Sequence, residues 1–189
     1  MYDAFNWEKA IDRWKIPKVH QSASLDKVEK IEPAMAKFGR EWVKSSNKKS
    51  LFLTGNAGSG KTFFAHSIFR AMIESTPRAE VFNFVRSDDL DSELLKAVKN
   101  EGEEYTLEKY HSVPFLFIDD LGVERVSERI IKQYYSIIDR RLNNLMPTIF
   151  TSNIPLDKIN SNLGDRIASR LEMCEEIKFP KRDLRKEMF

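Results

Sequence analysis

Gly55-Asn56-Ala57-Gly58-Ser59-Gly60-Lys61-Thr62 decides how the rest of this chain is read. It follows a short apolar stretch, Ser50–Thr54, with the length of a strand. It runs into Lys61–Ile73, where Phe64, Ala65, Ile68, Phe69 and Met72 recur at helical spacing. Strand, glycine-rich loop and helix in that order fit the GxxxxGK[ST] pattern at every required position. Glycines let such a loop curl in conformations that a Cβ would forbid. Its amide N–H groups then converge on an anion, aided by the positive end of the following helix. Lys61 is expected to reach the β- and γ-phosphates of ATP, and Thr62 to offer its hydroxyl to Mg2+. Gly55, Asn56, Ala57, Gly58, Ser59 and Gly60 are the expected cradle, for ADP as for ATP.

Downstream, three further segments carry chemistry. Phe115-Leu116-Phe117-Ile118-Asp119-Asp120-Leu121-Gly122 is an apolar strand that ends in two acids. Asp119 is placed to hold the metal beside Thr62, and Asp120 to orient and activate a water. Asp120 has one methylene less than a glutamate in that role. Pro147-Thr148-Ile149-Phe150-Thr151-Ser152-Asn153 brings Asn153 to a strand end. Its amide can meet the γ-phosphate or the attacking water; by itself it could also turn the chain before Pro155. Arg166 and Arg170, four apart in Leu163–Leu171, share one helix face. Either they are solvated, or one reaches the γ-phosphate held by a neighbouring subunit.

Around these motifs, Glu80–Val85, Pro114–Ile118, Thr148–Thr151 and Glu176–Phe179 read as strands. Asp88–Val98, with Leu90, Leu94, Leu95 and Val98 on its buried side, reads as a helix, as do Ser127–Leu142 and Gly164–Leu171. Glu101–Glu104 reads as an exposed acidic stretch. Alternation of this kind predicts an α/β fold with a mostly parallel five-stranded sheet flanked by helices. Ligands in such sheets sit at the carboxyl ends of the strands.

Upstream, Phe5, Trp7, Ile11 and Trp14 form an aromatic amphipathic arm that Pro17 ends. The arm either packs on its own core or docks a partner; two tryptophans are costly to leave in water. Lys18–Asp26 reads as a connector, and Met35, Phe38 and Trp42 mark a helix entered at Pro33. The expected organisation is residues 1–17 as arm, 18–180 as core and 181–189 as a short basic tail. With 189 residues, one compact domain is the natural size. Thirty-one basic residues nearly cancel 29 acidic ones, so a general polycation for nucleic acid is excluded while a local basic patch is not. A lone cysteine, Cys174, excludes an internal disulfide. No apolar run approaches a membrane span and the start lacks an apolar signal core, so a cytoplasmic location is expected.

Taken together, the phosphate loop, FIDDLG, TSNIPL and LGDRIASRL resemble the AAA+ ATPases of the DnaC/DnaI helicase-loader type, close to the IstB transposition ATPases. The resemblance spans roughly Ile16 to Phe179. It implies an AAA+ core without a C-terminal lid domain, with Gly55–Thr62 as Walker A, Asp119 and Asp120 as Walker B acids, and Asn153 as sensor 1. Arg170 would be the finger acting in trans, with Arg166 as its helper, and Ile16-Pro17 would border the adenine. It further implies loading of a replicative DNA helicase onto single-stranded DNA, with self-association through ATP-bridged interfaces. Loaders of this type usually carry a separate N-terminal helicase-gripping domain, whereas here a short arm precedes the core.

Lys96, Lys99, Arg86 and Lys132 are candidates for phosphate contacts with DNA, though each reads first as ordinary surface. Two other functions stay open at this point. One is a transposition helper that binds duplex DNA and a transposase. The other is a nucleotide-holding adaptor with little turnover.

Overall fold

The structure is a computed structural model that describes residues 5–76, 78–99, 102–123 and 127–184. Glu101, Arg185 and Lys186, which the sequence reading assigned to exposed acidic or basic stretches, lie outside the described residues. Helices α1 (Trp7–Trp14), α2 (Lys18–Gln21), α3 (Leu25–Ile31) and α4 (Pro33–Lys44) precede strand β1 (Leu51–Thr54). Then follow α5 (Lys61–Ser75), β2 (Phe82–Arg86), α6 (Ser87–Lys99), α7 (Glu103–Ser112), β3 (Phe115–Asp119) and α8 (Glu128–Asn143). The chain closes with β4 (Thr148–Ser152), α9 (Asn160–Leu163), α10 (Asp165–Leu171) and β5 (Glu175–Lys178).

The five strands form one sheet in the order β2-β3-β4-β1-β5, and every pairing is parallel. This is the α/β P-loop NTPase architecture expected from the motif order, with no antiparallel strand among the described residues. Strand side chains alternate between two apolar layers, as the pleat requires. Leu51, Leu53, Phe115, Phe117 and Ile149 join α1, α3, α4 and α5 on one face. Phe52, Leu116, Ile118 and Phe150 join α6, α7, α8 and α10 on the other. Burial of both faces is why these strands read as unbroken apolar runs.

Four local points are decided by the structure. Of the two readings open for the aromatic arm, packing on its own core holds. Trp7 is buried and its indole N–H donates to Gln21 O at 2.7 Å. Trp14 stands 5.2 Å from the Phe69 ring and donates to Asn83 Oδ1 at 3.1 Å. The apolar side of α1 is thus spent on the chain's own helices and sheet. Second, Lys18–Asp26 is not a plain connector: it holds α2 and the start of α3, whose first turn is capped by Ser24 Oγ accepting Lys27 N–H. Third, α7 covers residues 103–112, beyond any element read there. Fourth, Leu95 is exposed at 45 %, and Ala97 takes the inward place on α6. Leu94 and Leu95 point about 100° apart, and the buried stripe of α6 runs through Leu90, Leu94 and Ala97, which leaves Leu95 outside it.

At the end of the sheet away from the glycine loop, the fully buried Arg141 stitches several backbone segments together. It donates to the carbonyls of Tyr110, Val113, Pro114 and Pro147 and to Thr148 Oγ1. These bonds give all five N–H groups of the buried guanidinium an acceptor.

Candidate nucleotide site

Parallel order puts the carboxyl ends of β1, β4 and β3 side by side. Gly55–Thr62 leaves β1, Asn153 follows β4, and Asp119 ends β3, so three motifs far apart in sequence meet at one edge. The loop turns at Gly58 and Gly60, with φ of +80° and +97°, values that L side chains rarely adopt. Helix α5 then starts at Lys61 without a side-chain cap, leaving its N-terminal amides to the loop and the adjoining cavity.

The Lys61 ammonium, 4 % exposed, donates to Asn56 O at 3.0 Å and to Asn153 Oδ1 at 2.8 Å. Thr62 Oγ1 donates to Asp119 Oδ1 at 3.0 Å. Asp119 is almost fully buried. Burial, and then the charge of Asp120, push its carboxyl up to about 6 against the hydrogen bonds from Thr151 and Thr62 and the charge of Arg86. Thr151 was not singled out in the sequence. Its hydroxyl donates to Asp119 Oδ1 at 2.6 Å and accepts the Asp120 amide at 2.9 Å. Asp120 itself has a φ of +58°, and its carbonyl accepts from Ser87 Oγ at 2.8 Å.

Beside them opens a cavity of about 630 Å³. At its polar end lie Gly58, Gly60, Lys61, Thr62, Asp119, Asp120 and Asn153; Pro17, Val19, Phe63 and Leu184 form an apolar side. Of the expected adenine border, only Pro17 lines the cavity. Ile16 is 2 % exposed and packs in the core, which corrects its placement beside a ligand. Gly55, Asn56 and Ser59 do not line it either. They shape the loop from behind, where Asn56 O accepts the Ser59 amide at 3.2 Å.

Arg86 is a second residue whose place the sequence did not disclose. Offered by the sequence as a possible DNA contact, it lines this cavity, in register with Asp119 across the β2–β3 pair and 3.0 Å from Asp88. His20 also lines the cavity and stacks at 5.1 Å on His66. Burial holds both imidazoles below the usual histidine range, His66 the more strongly.

Arg166 and Arg170 lie on α10 and line no part of this cavity. Arg170 Nε donates to Asp139 Oδ1 at 2.5 Å, across the α10–α8 contact. A role for either toward phosphate therefore requires a second copy of the chain.

The donor set suits a magnesium nucleotide. Thr62 and Asp119 offer a hydroxyl and a carboxylate, oxygen ligands of the kind Mg2+ takes. Among the described residues no group of three or more His, Cys, Asp or Glu could hold a metal by itself. A cation at Thr62 and Asp119 would complete its shell with phosphate oxygens and water. No described helix is long and apolar enough to cross a membrane. A separate cavity of about 540 Å³, lined by Met72, Phe115, Leu145 and Met173, contains none of these groups.

Comparison with known proteins bears on the same region. The family model described as IstB-like ATP binding protein matches residues 26–171. A crystal structure of the DnaC helicase loader is similar at 27 % identity and a TM-score of 0.73, covering 87 % of this chain and 100 % of that one. DnaI gives 23 % identity and a TM-score of 0.75, with 88 % and 96 % covered. The replication initiator DnaA bound to AMPPCP and single-stranded DNA shares the fold at 17 % identity and a TM-score of 0.72, with 88 % of this chain and 52 % of that one covered.

Proposed function

Since the chain belongs to the family of IstB-like ATP binding proteins, we propose that it hydrolyses ATP and uses the cycle to load a replicative DNA helicase onto single-stranded DNA. The observation that carries the catalytic part is the shared hydrogen bonding of Asp119 with Thr62 and Thr151, beside Lys61 held on Asn153. Loop amides and the Lys61 ammonium would hold the β- and γ-phosphates. Thr62 and Asp119 would hold Mg2+, whose chemistry is to neutralise charge on the phosphate oxygens. Asp119 must ionise to do so, which a cation favours against the burial that raises its pKa. Asp120 would orient the attacking water and take its proton, and Asn153 would fix the γ-phosphate or that water. Arg170 of a neighbouring subunit, assisted by Arg166, would meet charge developing in transfer. Self-association is thus part of the proposal.

The loading role rests on the likeness to a DnaC helicase loader. The arm, packed on the core, is not proposed as the helicase contact. Two experiments test this reading. Lys61→Ala should abolish nucleotide uptake in calorimetric titration; undiminished affinity would reject the loop assignment. A pull-down with the cognate replicative helicase should capture it more strongly with ATP than without, and no capture under either condition would reject the loader role.

A second reading, a helper ATPase for a transposase, draws on the IstB-like family match itself. It requires turnover that responds to duplex DNA and to a transposase instead of single-stranded DNA and a helicase. A nucleotide-holding adaptor would show tight ATP binding with turnover indifferent to Asp120→Asn.

A further inference from the structure

Beyond β5 the chain turns back along the outer side of the glycine loop. The Phe179 amide donates to Thr54 O at 2.7 Å, where β1 ends. Arg182 Nη2 reaches Glu32 Oε2 at 3.0 Å, at the junction of α3 and α4. The Leu184 amide donates to Gly58 O at 2.8 Å. Three loop glycines touch this segment. A Cβ on Gly55 would come within 2.9 Å of Phe179 Cβ, one on Gly60 within 3.0 Å of Leu184 Cδ1, and one on Gly58 would overlap the Asp183 carboxylate. The basic composition of residues 181–189 reads as a solvated or DNA-binding tail, yet Leu184 is 6 % exposed.

Leu184 also lines the nucleotide cavity, with Pro17, Val19 and Phe63. Phosphate groups belong at the polar end, beside Lys61 and Thr62, which leaves the apolar side for the flat, largely apolar base. We infer that Leu184 is a base-contacting residue of this nucleotide site, carried there by a segment that the loop itself anchors. The inference rests on the nucleotide reading above. It concerns a residue outside the span of the family match, which ends at 171. In this arrangement the segment 179–184 does two things at once. It backs the loop through Gly58 O, and it completes the base side of the site. Bound nucleotide in turn holds Leu184 in place.

The test compares two probes on the full chain by calorimetry: ADP, and inorganic tripolyphosphate, which has no base. Leu184→Ser should weaken ADP about tenfold, the loss expected for part of a buried leucine contact, and leave tripolyphosphate within about twofold. Leu184→Met should restore ADP binding. Arg182→Ala, which releases the segment from Glu32, should weaken ADP in the same selective way. Thermal unfolding without ligand checks that each variant is folded. If the serine variant unfolds, the methionine and Arg182→Ala variants carry the comparison. Equal losses for both probes would mean that the segment only braces the loop and would overturn the inference, as would unchanged ADP affinity. If the wild-type chain takes up neither probe, the nucleotide site itself falls, and this inference with it.

Discussion

The hydroxyl of Thr151 lies 2.6 Å from Asp119 Oδ1 and, from its other side, accepts the amide N–H of Asp120 at 2.9 Å. One buried oxygen on β4 therefore sets the position of both acids on the neighbouring strand end. Thr151→Val keeps the shape and removes both bonds. It should cost about 1–3 kcal/mol of stability, the penalty for buried groups left without partners, in urea unfolding. Thr151→Ser should stay near wild type. A valine variant as stable as wild type would show that the hydroxyl does not organise this pair.

The raised carboxyl of Asp119 makes a signed prediction. Its native pKa of about 6 exceeds its ordinary value of 3.8, so the folded state binds the proton more tightly than the unfolded chain. Between those values the native state holds more protons, and stability falls as pH rises through the window. Asp119→Asn removes that loss. In magnesium- and nucleotide-free buffer it should stabilise the protein at pH 8 by at most roughly 3 kcal/mol, with the gain shrinking toward pH 4. Chemical unfolding at both pH values checks it. A gain equal at pH 4 and pH 8 would contradict the assignment of the proton to Asp119.

Arg170 is partly exposed, as is its partner Asp139. Surface pairs of this kind contribute at most about 1 kcal/mol. Arg170→Ala should therefore fold normally, bind ATP as wild type does, and turn it over at least tenfold more slowly. Mixed with Lys61→Ala subunits, which keep their own Arg170, it should recover activity, because intact loop and intact arginine then meet across an interface. No recovery on mixing, with Arg170→Ala inactive alone, would exclude a role in trans.

The arm carries a prediction opposite to that of a free docking segment. Trp7 is 5 % exposed, bonded to Gln21 O and packed beside His66 at 6.3 Å. Trp7→Ala should destabilise the whole domain by about 3–5 kcal/mol, as large-to-small changes in a core do. Unaltered stability, by the same unfolding measurement, would return the arm to the role of a separate appendage.

Where sequence reading succeeded, a local pattern carried a local constraint. The loop Gly55–Thr62 needs its glycines, and Phe115–Ile118 is apolar up to Asp119, so the strand–loop–helix succession and the place of Asp119 at a strand end were both legible. Thr151 was not, because a threonine in a strand is ordinary; its meaning arises only when β4 pairs with β3. Arg86 escaped for the same reason: a cation after an apolar strand says nothing about which strand lies beside it. Helix α7 begins with Glu103 and Glu104 and buries few apolar residues, chiefly Tyr110. Its periodicity was therefore too sparse to see. Leu184 was hidden by its charged neighbours, since composition describes a segment's solubility and not the single side chain it inserts. Ile16 failed in the opposite sense: the resemblance assigns Ile16-Pro17 together to the adenine border, while the structure packs Ile16 in the core and leaves Pro17 lining the cavity.

Arg141 has a consequence for what this chain can exchange. Its planar head offers five N–H donors in a fixed fan, and the end of the molecule remote from the nucleotide is wired through them. A lysine keeps the charge but brings three hydrogens on one atom, too few and too closely bunched to serve acceptors spread over two connections. The swap usually ranked mildest for arginine would here leave buried carbonyls stranded, so position 141 is intolerant of substitution although no ligand comes near it.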